Sequence, residues 1–553
     1  MIEIITKDGV SLDLEPSAEF EIEIENPMFD DSHIPVPFST AISFLPSTRN
    51  NSVFGYLNAM MLEPAVKTVD ATIFSCGIPL MSGILTLDGI EDGMLNYTFS
   101  STPKQEILSR FIHETPSLYA AFNADTLREV MDGQHITNHS LPLIVNAQKV
   151  ADEDEDLKKA YGASGGTPVD VKYRNYYFGT VDVPIMPAVF VHTILKDLNI
   201  DTSMTKLQTL FKSIGILATY KGICDVNGFV ITKNGDIAYD LADKLPECKV
   251  EDLLSNVLKI ICGSIYVDGD RLLLIGNSEI LSSSAYADWN DKVSDVYSLE
   301  SEESRSYKLG FKEDATGNDN YIEDNPELIK VPAYSYMATE MKGNKYKAVE
   351  RTDTGCAYSG KNPIYRFPKY LYVPFVDVIH RADVYSIGET ENVCDMSSDF
   401  NLVKCIPVRT VAKNGDQLEY RDAMCPRIDF PPLDGSRPKE VYIGLISGNQ
   451  FTDNGRIFRT TGGYFEYAFE ENTGLSLLPN ELYDSCHKPF AEWLAKEKTM
   501  ISADVNLSEY DIHNFRIWDK VLIRSRLFVV KKLTVTISAA SGHIACRGDF
   551  VSL

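Results

Sequence analysis

Few residue arrangements in this sequence have the types and spacing that chemistry needs. The sharpest is Gly162-Ala-Ser164-Gly-Gly166, a match to the Gly-x-Ser-x-Gly nucleophile elbow. An elbow activates its serine by holding it on a tight turn between a strand and a helix, beside a general base. Here the acidic run Asp152-Glu-Asp-Glu-Asp156 precedes the motif and Thr167-Pro168 follows it, so a loop is expected and Ser164 is expected to be inert. His135 and His139 stand four apart, the helical spacing of two metal ligands. No Glu lies between them and the segment opens on the turn dipeptide Asp132-Gly133, so the expectation is a pair of surface histidines in a loop.

Other chemistries fare no better. Glycoside hydrolysis needs two carboxylates roughly 5–10 Å apart across a cleft, whereas Glu91-Asp92, Glu302-Glu303 and Glu470-Glu471 are chain neighbours, which on a strand point to opposite faces. There is no Gly-x-x-x-x-Gly-Lys-Ser/Thr phosphate loop and no Gly-x-Gly-x-x-Gly between a strand and a helix. The 10 cysteines are scattered without a Cys-x-x-Cys pair, which predicts buried reduced thiols rather than a metal site or a disulfide framework. The sequence thus points to no catalytic residue, no cofactor and no metal.

With 79 acids against 52 bases the formal net charge is −27. Phosphate backbones and anionic membranes attract proteins through Lys and Arg, so stable nucleic-acid binding is not expected. Apolar residues at 44% and charged residues at 24% are ordinary for a folded chain. No stretch offers roughly 18 consecutive apolar residues, and the N-terminal residues lack the pattern of a secretory signal, so a protein made and kept in solution is expected.

A chain of 553 residues exceeds what one hydrophobic core supports, and several modules are expected. Residues 1–108 read as a β-barrel-like domain. Glu19-Phe-Glu-Ile-Glu-Ile24 alternates at period two, and short strand-like runs at 71–76, 77–83, 84–89 and 95–100 are separated by Gly, Asp-Gly or Glu-Asp-Gly turns. Residues 109–182 read as a mixed insertion with a mobile loop. Residues 183–300 read as an α/β module, with one helix near 187–198 and a clearer one near 249–262, on which Val250, Leu253, Leu254, Val257, Leu258 and Ile261 share a face before Gly263 as its left-handed stop. A hairpin closed by Asp268-Gly269 should follow. Residues 301–435 are β-rich without a legible architecture, and 436–553 form a β-rich domain with one helix near Pro489–Lys496 and paired strands at 521–537. The fold class expected is a β-rich, multidomain α+β protein.

Three groups of motifs resemble a known family. Near the start are Asn26-Pro-Met-Phe29, Ile34-Pro-Val-Pro-Phe38, Phe44-Leu-Pro46, Asn50-Asn51 and Phe54-Gly55. In the middle are Leu241-Ala-Asp-Lys-Leu-Pro246, the helix and hairpin after it, and Asp288-Trp-Asn-Asp-Lys292. Near the end are Asn480-Glu-Leu-Tyr483, His487-Lys-Pro-Phe-Ala-Glu-Trp493, Val505-Asn-Leu507, Phe515-Arg-Ile-Trp-Asp-Lys-Val521 and Phe528-Val-Val530. In order and spacing they resemble tail proteins of phages and prophages of Bacteroides and related bacteria, which are similar to the baseplate hub of contractile phage tails.

The resemblance implies barrel-like domains that mimic tail-tube subunits, assembled as a homotrimeric ring that joins the tube to the spike or tip. It implies tail-tube, tape-measure and spike or tip proteins as partners, and a place in the virion tail after assembly in the host bacterial cytoplasm. Phe29, Pro35, Pro37, Phe38, Leu45 and Pro46 are the candidate assembly-interface residues. The alternatives are another tail component, such as a distal ring or receptor-binding protein, and a carbohydrate-binding or carbohydrate-cleaving β protein that would use the 28 Tyr and 26 Phe as stacking platforms.

Overall fold

The period-two pattern at the N-terminus is realised as the strand Glu19–Glu25, with Phe20 and Ile22 buried and the glutamates turned outward. The computed structural model describes residues 2–34, 38–55, 68–100, 104–116, 119–123, 139–140, 145–146, 187–220, 224–225, 228–229, 236–268, 271–312, 357–359, 362–367, 370–372, 385–387, 392–414, 417–428, 436–448, 450–453, 456–460, 467–472 and 474–553. Ser164, His135, the acidic run at 152–156, Pro35 and Pro37 lie outside the described residues.

The dominant element is a 14-stranded sheet. Its path runs from Ser11–Leu12 through Ile2–Thr6, Thr68–Ser75, Ile78–Glu91, Met94–Ser100 and Phe38–Ser39 to Glu19–Glu25, then crosses to Arg526–Ser538, Ile544–Ser552 and Lys498–Val505, and ends at Val293–Glu302. The crossing is the antiparallel pairing of Glu19–Glu25 with Lys532–Ser538, which sews the two ends of the chain into one sheet. A 7-stranded sheet and several smaller ones make up the rest, and the chain is β-rich with several sheets, as expected.

Glycine in this sheet does two different jobs. Cys76-Gly77, Asp92-Gly93 and Arg524-Ser525 are two-residue hairpin turns with positive φ at both positions, between the pairs Ser75↔Ile78, Glu91↔Met94 and Ile523↔Arg526. Gly83, expected to end a strand, instead sits inside the single strand Ile78–Glu91, where a Cβ would collide with the Ser100 carbonyl oxygen and meet the Phe99 ring at 2.8 Å. It is there for close backbone approach, not for a turn. Asp88-Gly89 likewise stays in the strand, at a register shift between Leu87 and Gly89.

The central helix runs Val250–Ile261, and its buried face includes Val250, Leu253, Leu254, Val257, Leu258 and Ile261. Its left-handed stop is Cys262 at φ 53°, not Gly263, which opens the next strand and lies only 3.0 Å from Leu274 Cδ1 by its absent Cβ. The hairpin follows as Gly263–Asp268 and Arg271–Gly276, with Asp268 paired to Arg271. Asp268 therefore closes the ladder rather than standing in the turn, and Gly269 lies outside the described residues. The helix expected from Pro187 begins only at Val191, because Ala188–Phe190 pair as a strand with Gly215–Leu217 before the chain turns. Toward the C-terminus the helix Lys488–Leu494 follows a π-helical turn at Tyr483–His487.

The modules are pinned together by buried polar side chains. Asn26 Nδ2 donates to the carbonyls of Val530 at 2.9 Å and Ile517 at 3.1 Å, while its Oδ1 accepts from the Tyr266 hydroxyl at 3.1 Å. One amide thus links the N-terminal strands, the C-terminal strands and the central hairpin. Two buried lysines close helix ends, as cations should. Lys498 Nζ donates to the carbonyls of Leu494 and Lys496, and Lys520 Nζ to those of Leu281 and Ser283. Burial lowers the pKa of both ammonium groups.

Candidate interaction surface

The nearest approach to a catalytic constellation among the described residues is His33, Ser264 and Asn277. His33 Nδ1 lies 3.1 Å from Ser264 Oγ, which donates its hydrogen to Asn277 Oδ1 at 2.8 Å. Since that hydroxyl has one hydrogen, His33 must donate to Ser264 rather than accept from it. The serine is not activated, and with all three side chains buried no substrate reaches it. Burial drops the pKa of His33 to about 4, which keeps the ring neutral. His487 is held likewise, donating from Nε2 to the Ile260 carbonyl at 2.8 Å and accepting at Nδ1 from the Tyr307 hydroxyl at 2.5 Å. These are core polar networks.

His139, read as a surface loop residue, is buried on the short strand His139–Ser140 opposite Val189, and burial drops its pKa to about 4. The strand Ala188–Phe190 draws it inward, a long-range pairing that the spacing to His135 does not reveal. Burial pushes the thiols of Cys248, Cys486 and Cys546 up to about 12, so they stay protonated. No group of three or more His, Cys, Asp or Glu among the described residues is placed to hold a metal ion, and no described helix is long and apolar enough to cross a membrane. A cavity of about 290 Å³ between Ile22, Met81, Tyr266, Ile512 and Trp518 is mostly apolar, and Arg516 at its rim is paired with Asp268 at 3.0 Å.

What the structure leaves open is an edge. Val293–Glu302 is a 10-residue strand that ends the large sheet and pairs, among the described residues, only with Lys498–Val505. Tyr297 pairs with Ala503 and Leu299 with Ile501, which in turn face Gly548 and Phe550 on the next strand. Directly paired residues share a face. Tyr297 and Leu299 therefore continue the face that carries the fully buried Phe550, yet they are 40% and 61% exposed. On the opposite face Ser298, Glu300 and Glu302 are polar. The strand has the alternation of a half-buried element whose apolar side is exposed among the described residues.

The strand is also bent in a defined way. Val293 pairs with Val505 and Tyr297 with Ala503, so Ser294, Asp295 and Val296 stand against Asp504 alone and form a bulge. Val296, at its crest, is 83% exposed. The bulge is clamped by the turn Arg524-Ser525: the guanidinium of Arg524 is 3.0 Å from Asp295 and 4.5 Å above the Tyr297 ring. Neither turn residue is glycine, although both have positive φ, at 49° and 64°. The turn bears left-handed strain where Arg524 contacts the edge.

Of the interface residues expected from sequence, Phe29 is half-buried with its ring edge-on to Trp493 at 5.8 Å, and Phe38 lies in the short strand Phe38–Ser39. Leu45 and Pro46 are half-buried, and their carbonyls accept from the side-chain amides of Asn50 and Asn51. None of them adjoins the open edge in the sheet order. The edge itself was legible only as alternation in Tyr297-Ser-Leu-Glu300; its exposure has no sequence signal.

No protein-family model and no curated protein matches the sequence. Among solved structures the chain is similar to the tail protein from Neisseria meningitidis MC58, at 8% identity and TM-score 0.33 over 100% of this chain and 96% of that one. It is similar to the 43 kDa tail protein of prophage MuSo2 from Shewanella oneidensis, at 7% identity and TM-score 0.34 over 100% and 97%. A third similarity is to prophage tail protein gp18 from Listeria monocytogenes EGD-e, at 8% identity and TM-score 0.29 over 99% and 94%. All three are distant likenesses, and the function proposed below rests on this chain's own residues.

Proposed function

We propose that the chain is a structural, non-catalytic subunit of a bacteriophage tail, placed at the tip or baseplate, where a ring of copies joins the tail tube to the spike. The observation that carries this is the edge strand Val293–Glu302, which among the described residues is a long open edge with an exposed apolar face, on a chain whose nearest described Ser-His arrangement is sealed and wrongly polarised. Such an edge is a template for another chain, because its unpaired backbone groups and apolar side chains are satisfied together by an added strand. The ordered motifs of the sequence supply the tail assignment. Two of them meet in the fold, where Phe29 of Asn26-Pro-Met-Phe29 packs on Trp493 of His487-Lys-Pro-Phe-Ala-Glu-Trp493.

The contact between copies falls to the N-terminal residues Phe29, Pro35, Pro37, Phe38, Leu45 and Pro46, and a homotrimer is the expected state. A net charge of −27 per copy suits a ring that DNA crosses without being held. Immunogold labelling of phage particles with antibody to this chain tests the placement. Label at the distal end of the tail is expected, and label confined to the capsid, or a chain absent from particles, overturns it.

A further inference from the structure

Resting on the reading of Val293–Glu302 as an assembly edge, we propose that its occupant is a strand from a different protein, one that alternates apolar and basic residues, and not a second copy of this chain. Past the bulge, Tyr297–Glu302 is in regular antiparallel register with Lys498–Ala503, so the far side of this segment offers a straight run for strand addition. On one face the incoming strand meets Leu299, and beside it Tyr297 with the Arg524 guanidinium over its ring, so apolar side chains are called for at Leu299. On the other it meets Ser298 and Glu300, with Glu302 partly buried opposite Lys498 and Glu303 following, and the edge strand itself contains no Lys or Arg. Directly opposed side chains in an antiparallel pair interact, like charges unfavourably and opposite charges favourably. A basic partner strand is complementary to this face.

Within the large sheet a second copy fits in neither way. Two edge strands paired with each other would bring only Asp and Glu together, from chains that each carry −27. Head-to-tail pairing through the large sheet fails on length, since its opposite end is Ser11–Leu12, a strand of 2 residues against 10. The acid on this edge thus blocks homotypic pairing, a recognised way to protect an exposed strand, while leaving it open to a basic one.

The test uses the full chain and three synthetic ten-residue probes: alternating Val and Lys, alternating Val and Glu, and the Val-Lys peptide N-methylated at every second residue. Fluorescence anisotropy should show binding of the Val-Lys probe that weakens with salt, about tenfold or more weaker binding of the Val-Glu probe, and a comparable loss on N-methylation, which removes backbone donors. The exposed-face variant Ser298→Lys/Glu300→Lys should invert the preference between Lys and Glu probes. Equal binding of the N-methylated peptide would show charge attraction without strand addition and overturn the proposal. So would a disulfide between two copies of a Ser298→Cys variant, or strong hydrogen-exchange protection of 297–302 on both sides in the free chain, which would mean that the chain covers its own edge. Particle labelling is unaffected by any of these outcomes, so a tail protein with a different occupant is distinguishable from a protein that is not in the tail.

Discussion

Arg524 and Asp295 are 229 positions apart in the chain and 3.0 Å apart in the fold, and the same guanidinium covers the Tyr297 ring at 4.5 Å. The contact ties the strained turn between the two C-terminal strands to the bulge of the open edge. Both groups are exposed, and exposed ion pairs add little to global stability. Replacing Arg524 with Ala should therefore leave Tm nearly unchanged while hydrogen exchange quickens at residues 294–297. Unchanged exchange there would mean that the bulge holds its shape without the clamp.

Ser525→Gly separates strain from contact. A non-glycine residue in the left-handed region costs roughly 1 kcal/mol, so the glycine variant should be more stable by about that amount, read as a higher urea midpoint with unchanged slope. A lower midpoint would mean that the serine side chain compensates its own backbone.

The Asn26 pin should be among the costliest side chains to remove. Asn26→Ala strands the buried Tyr266 hydroxyl and the carbonyls of Ile517 and Val530, a loss on the order of 3 kcal/mol. Thermal denaturation should show a large drop in Tm. A drop no greater than that of a surface Asn→Ala control would mean that water replaces the amide.

Gly83→Ala should destabilise the N-terminal strands, since the new Cβ would collide with the Ser100 carbonyl, which is fixed backbone rather than a movable side-chain tip. Gly77→Ala is its control: that position has open space around it but a φ of 80°, so its cost is conformational only and smaller. Denaturant midpoints for the two variants decide, and equal shifts would remove the close-approach account.

Acid should weaken the fold between about pH 6.5 and pH 4. His33 and His487 are buried and neutral, with folded pKa values lowered from 6.5 to about 4 by desolvation. In that window the unfolded chain binds more protons than the folded one, so stability falls as pH falls, by roughly 3 kcal/mol for each group once both pKa values are passed. Unfolding followed by fluorescence across pH 4–7 measures the slope, and a His33→Gln/His487→Gln variant should make it shallower, with the buried His139, whose pKa is likewise lowered to about 4, supplying part of what remains. An equally steep variant would place the acid response elsewhere.

How far the sequence carried the fold depends on the range of the forces involved. Alternation at Phe20 and Ile22, the apolar face of Val250–Ile261 and the Asp92-Gly93 turn are local, and each was legible. Glycine was ambiguous, because Gly83 looks the same whether it turns the chain or lets Ser100 come close. The joining of Glu19–Glu25 to Lys532–Ser538 spans the whole chain and leaves no local mark. The same holds for the candidate site: Tyr297 and Leu299 alternate like a half-buried strand, and only the ordering of the sheet reveals that among the described residues they sit exposed at its edge.

The central claim, that this edge is an assembly surface of a tail subunit, is tested most directly in a phage whose only copy of this chain carries Val296→Asp/Leu299→Asp. Both side chains are solvent-exposed, so the purified variant should fold and melt like the parent. The account predicts that electron micrographs of such lysates show tails absent or lacking their distal structure. Normal, infectious tails built with the variant would contradict it.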